Sequence, residues 1–121
     1  MPKKFMRSIK YAHAGTRHAF MTQRNIWIHA VIAVVVIGAA VWLKVSRAEM
    51  ALLALTIGFV IAAELFNTAL EEVVNLAKPE EHPQAAVAKN VSAGAVLLSA
   101  VTAAVVGTII FLPRVIITLW K

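Results

Sequence analysis

The sequence predicts an all-α integral membrane protein with three transmembrane helices and an amphipathic helix ahead of them. Three observations carry the prediction. Apolar residues make up 60% of the 121 positions, against 45–50% in ordinary soluble domains, and so short a chain cannot hide that much apolar surface from water. The apolar residues fall into three long runs with short polar connectors between them. The formal net charge is +6, and the basic excess is concentrated directly ahead of the first run.

Residues 1–25 contain Lys3, Lys4, Arg7, Lys10, Arg17 and Arg24 and no acid. Phe5, Ile9, Ala12, Ala19 and Phe20 recur at near-helical spacing, with Arg7, Lys10 and Arg17 on another face. That pattern predicts a helix lying in the membrane interface, its cations toward lipid phosphates. Its place beside an apolar run favours anionic headgroups over nucleic acid as the partner. The segment is a poor match to a secretory signal, having no small-residue cleavage site after the apolar stretch.

Residues 26–43 form the first predicted span, about 27 Å of helix against a hydrocarbon core of about 30 Å. Residues 44–47 are a tight polar connector, and residues 48–70 are the second span, interrupted by Glu64 and Asn67. The second helix is expected to overrun the membrane surface to about Ala77, where Pro79 stops it. A charged loop over 71–90 holds four of the six glutamates. Residues 91–112 are the third span, with Pro113 expected to end it. The whole of 1–121 reads as one membrane-embedded domain. Three spans put the N-terminus and the 71–90 loop on the same side, which the excess of N-terminal cations assigns to the cytoplasm. In the third span, Ser99, Ala103 and Gly107 recur every four residues, a pattern that lets helices approach closely in lipid. It hints at homo-oligomers, and equally reflects the abundance of alanine in membrane helices.

The chemistry lies on the second helix. Glu64, Asn67, Glu71 and Asn75, at i, i+3, i+7 and i+11, share one helix face. They form a ladder of carboxylates and amides running from bilayer depth toward the cytoplasm. A charge in the membrane interior is unfavourable by about 2.5–3.5 kcal/mol at the centre, less near the interface. Glu64 therefore needs a reason: a proton acceptor, or one side of an interhelical hydrogen-bond clasp. A carboxylate near the surface can take a proton from a hydroxyl, and a second can hold Mg²⁺ together with substrate phosphates. Lys89 can balance charge on a moving phosphoryl group. No Gly-rich phosphate loop or soluble-kinase signature is present. His13, His18 and His29 do not cluster at metal-ligand spacing and read as interfacial or packing residues. The absence of cysteine excludes disulfides and thiolate metal sites.

The run Glu64-Leu-Phe-Asn67-Thr-Ala-Leu-Glu71-Glu-Val-Val-Asn75, with Glu81-His82-Pro83 and Ala88-Lys89-Asn90-Val-Ser-Ala-Gly-Ala-Val-Leu, resembles the small bacterial diacylglycerol kinase and undecaprenol kinase family. Tyr11-Ala-His-Ala-Gly15-Thr-Arg17 and Gln23-Arg-Asn25-Ile-Trp-Ile-His29 fit it as well, so the resemblance covers essentially the whole chain. It implies a homotrimer in the bacterial inner membrane, multi-pass with a cytoplasmic N-terminus, transferring the γ-phosphate of MgATP to a lipid alcohol. By the same resemblance Glu64 is the catalytic base and Glu71 a magnesium ligand. Tyr11, Asn67, Glu71, Glu80, His82, Lys89 and Asn90 lie around the nucleotide, and Gly15, Arg17 and Trp42 face the lipid. The sequence departs from the family pattern at Gln23, where a magnesium-binding glutamate is usual, and at Asn75 and Asn90, where aspartate is usual. Each change keeps an oxygen and removes a charge. Details around His82 and Gly94 lean toward the undecaprenol branch. A catalytically weakened member, and a non-enzymatic channel or transporter subunit using Glu64, remain as alternatives.

Overall fold

The computed structural model describes residues 1–121 and is entirely helical, with α1 (Pro2–Thr22), α2 (Arg24–Trp42), α3 (Arg47–Ala77) and α4 (Pro83–Leu119). The last three are long and apolar enough to cross a membrane. At 1.5 Å per residue they measure about 28, 46 and 55 Å, so α3 and α4 outrun the hydrocarbon. Only 8 of the 121 residues are buried. The protomer thus leaves most of its apolar surface outward, as a chain solvated by lipid does.

Each break has a local cause. Gln23 alone separates α1 from α2, its backbone extended at φ −116° and ψ 113°. Across this elbow Trp27 Nε1 donates to the Phe20 carbonyl at 2.6 Å. The two rings meet edge-on with centroids 5.2 Å apart, and Ala19 and Ile26 are buried beside them. The α2–α3 connector closes with a Schellman pattern: Val45 N donates to Ala40 O and Lys44 N to Val41 O. Lys44 takes the left-handed conformation there, φ 54°. Ser46 then caps α3, its Oγ accepting from Glu49 N while Glu49 Oε1 accepts from Ser46 N.

The second span, α3, ends at Ala77 as expected, but the charged loop is far shorter than 71–90. Only Lys78 to His82 lie outside helix. Pro83 opens α4 at its first turn, where a missing N–H is harmless. His82 caps it by accepting from Gln84 N at 3.1 Å. The far end also differs from expectation, because α4 passes through Pro113 to Leu119. Proline removes one donor from the ladder, and the next residue, Arg114, folds its Nη1 back to the Ile110 carbonyl at 2.9 Å.

The small core, Ala40, Leu53 and Ile110, sits near the N-terminal end of α3. Just beyond it Arg114 grips Glu49 with two hydrogen bonds, 2.6 and 2.7 Å, in the bidentate geometry guanidinium and carboxylate favour. Leu53, Val60, Glu64 and Thr68 form the buried stripe of α3. Ala103 and Gly107 of the small-residue face line an apolar cavity of about 310 Å³ between α2, α3 and α4.

Candidate active site

The α3 ladder survives folding as a line of polar groups, each held differently. Glu64 is 2% exposed, one of only two buried polar or charged residues in the chain. Its backbone carbonyl accepts the Thr68 hydroxyl at 2.9 Å. Its side chain faces α2, where His29 Nε2 lies 3.2 Å from Oε1. The contact lacks hydrogen-bond alignment, and Oε1 has no hydrogen-bond partner. A buried carboxylate with a free oxygen is unfavourable in a low-dielectric setting, which sets this atom apart on α3.

One turn nearer the α3–α4 turn, Asn67 Nδ2 donates to Glu71 Oε1 at 3.4 Å, while Asn67 Oδ1 is buried with no partner. The pair presents a carboxylate and an amide oxygen side by side, hard donors of the type Mg²⁺ prefers. No group of three His, Asp or Glu side chains gathers anywhere to hold a metal alone. A further turn on, Asn75 Oδ1 accepts from Lys89 Nζ at 2.6 Å, joining the ladder to α4. Lys89 thereby becomes part of the site although fourteen residues separate the two in sequence.

At the α3–α4 turn a polar recess of about 560 Å³ is lined by Asn75, Glu80, His82 and Lys89 among others. Four sequence-predicted groups thus meet in one place. Glu80 also approaches Lys78, 3.9 Å away. The His82 ring spends Nδ1 on capping α4, which leaves Nε2 to carry the ring proton.

The remaining candidates are not brought together within the protomer. Gln23 is half-buried at the α1–α2 elbow. Tyr11, Gly15, Arg17, Trp42 and Asn90 are exposed, and a Cβ built on Gly15 would meet nothing within 4 Å.

Sequence reasoning missed three contacts. His29, read as a packing residue, is the partner of Glu64. A histidine inside an otherwise apolar span was the available signal, since ionisable groups there mark function by default. His18 reaches Glu72 at 3.4 Å, tying α1 to α3. Glu49 and Arg114, 65 residues apart, carried no joint signal in sequence.

Residues 10–111 match the family described as prokaryotic diacylglycerol kinase. A protein of Synechocystis sp. named diacylglycerol kinase is 48% identical over 107 residues, 88% of this chain and 61% of its own length. A protein of Bacillus subtilis named undecaprenol kinase is 36% identical over 111 residues, 92% of this chain and 90% of its own. The chain therefore spans less than two thirds of the first relative and nearly all of the second. With the family pattern matched over nearly the full length and the ladder on one face of α3, the chain belongs to the prokaryotic diacylglycerol kinase family.

Proposed function

We propose that this protein transfers the γ-phosphoryl group of ATP, as its magnesium complex, to the hydroxyl of a membrane lipid alcohol, diacylglycerol or undecaprenol. One observation carries the reading. The buried carboxylate Glu64, with an unpartnered oxygen, stands in an apolar helix on the same face as groups that lead to a polar recess outside the span. The ladder from Glu64 to Asn75 covers about 16 Å along α3. A reaction between a lipid alcohol and a water-soluble nucleotide needs that continuity.

In the mechanism that follows, the lipid hydroxyl arrives laterally and places its proton within reach of Glu64. Glu64 removes the proton as the alcohol oxygen bonds to the γ-phosphorus and the bond to the β–γ bridging oxygen breaks, releasing ADP. Lys89, held toward the recess by Asn75, offsets charge on the phosphate oxygens. Glu71 and the orphan oxygen of Asn67 would hold Mg²⁺, with Gln23 as a weaker neutral ligand. That ion supplies charge neutralisation across the triphosphate when bound.

Lipid, and other copies of the chain, would cover the apolar surface left outward. In this reading the protein is a homotrimer of the bacterial inner membrane, α1 lies in the cytoplasmic interface with the N-terminus, and Gly15, Arg17 and Trp42 face lipid. The test is transfer of labelled phosphate from ATP in detergent with Mg²⁺ and either lipid. A labelled lipid phosphate is expected. A folded protein that labels neither alcohol refutes the reading.

A further inference from the structure

Glu64 is 2% exposed, and a base so placed faces a second problem once it has taken a proton. The proton must leave before the next turnover, and a buried carboxylic acid has no water to give it to. Within the protomer only one titratable side chain pairs with Glu64: His29 of α2, with Nε2 3.2 Å from Oε1. Three other ionisable groups on the helices around it have different partners. Glu71 accepts from Asn67 on α3 itself, Lys89 of α4 is held by Asn75, and His18 of α1 pairs with Glu72. His29 is 21% exposed by side chain against 2% for its partner, lines the apolar 310 Å³ cavity between the three spans, and stands about one turn from the exposed polar residues Arg24 and Asn25 that begin α2.

We propose that His29 is a positioning residue for Glu64 and the outlet for the proton that Glu64 collects, an inference that rests on the lipid-kinase reading. The proton passes from the lipid hydroxyl to Oε1 of Glu64 as the oxygen–phosphorus bond forms and ADP departs. It then passes from Oε1 to Nε2 of His29, and the imidazolium gives it up at the polar start of α2, where Arg24 and Asn25 are exposed about a turn away, returning both side chains to their starting state. Buried carboxylate and histidine chains carry protons in membranes in this way. The open Oε1 lone pair and the imperfect alignment fit a contact that tightens only with the proton in place.

The experiment measures phosphate transfer for wild type, His29→Gln and His29→Ala, with helicity and assembly in detergent monitored for each. Glutamine fills the site and hydrogen-bonds but cannot carry a proton. Loss of about tenfold or more in kcat is expected for both variants, with the lipid KM within about twofold of wild type. Added imidazole, which fits the space that alanine opens beside the cavity, should restore about fivefold or more to His29→Ala and nothing to Glu64→Gln. Should His29→Ala not assemble, His29→Gln alone decides through kcat. Active His29→Gln with near wild-type kcat overturns the proposal while leaving the kinase reading intact, and so does an inactive, assembled His29→Ala that imidazole does not rescue. A folded wild type that transfers no phosphate overturns the kinase reading first, and the relay with it.

Discussion

Replacing Glu64 by glutamine separates a working base from a structural clasp, because the amide keeps shape and hydrogen-bonding reach and loses only the ability to take a proton. General-base assistance contributes about 10²–10⁴ in rate, about 2.7–5.4 kcal/mol of barrier at 1.36 kcal/mol per decade. The same substitution has the opposite sign for stability. Glu64 is 2% exposed and lies about 9 Å before Leu70, where the apolar run ends. An ionised carboxylate at the centre is unfavourable by about 2.5–3.5 kcal/mol, and at this depth by about 1–2 kcal/mol. Glutamine removes that term, and the Thr68 bond to the backbone of residue 64 is untouched. The expected outcome for Glu64→Gln is therefore loss of about a hundredfold or more in kcat with a thermal midpoint equal to or above wild type, read by labelled transfer and circular dichroism in one detergent. A neutral clasp predicts the reverse. An amide variant within tenfold of wild-type rate, or an inactive one that also melts earlier, refutes the assignment.

Lys89→Met removes the 2.6 Å bond to Asn75 and the charge at the recess. An increase of about tenfold or more in KM for ATP with retained helicity is expected, and an unchanged KM would remove Lys89 from the nucleotide site. Gln23→Glu restores a carboxylate at the elbow and should lower the Mg²⁺ concentration for half-maximal rate; no change would show that this position does not reach the metal. Glu49→Gln breaks the bidentate grip of Arg114 at the end of α3 remote from Glu64, about 22 Å along the helix. The thermal midpoint should fall while kcat holds, and a fall in kcat without loss of stability would link this end of the bundle to the chemistry.

Legibility in the sequence followed the range of the physics involved. Ala77 as the end of α3 was readable, because Pro79 and the change to charged residues act locally. The length of the next loop was not. Pro83 and His82 start α4 with an N-terminal cap, so residues that look like charged loop are helical. Pro113 does not end α4 for a related reason: Arg114, just beyond it, is tied to Glu49 on α3, so the last turns are held by a contact between helices. The ladder on α3 was legible because helical periodicity alone places Glu64, Asn67, Glu71 and Asn75 on one face.

By itself the sequence determined that the chain has three apolar spans, that one of them carries ionisable and amide groups along a single face, and that the nearby turn is polar. Those are consequences of transfer free energy and of 3.6 residues per turn, both local and additive. Only the tertiary structure decided which groups complete the site. That His29 stands beside Glu64, that Lys89 crosses to Asn75, and that Arg114 secures Glu49 depend on how the helices approach in three dimensions. Packing between separate helices sets those distances, and no periodicity within one helix encodes them.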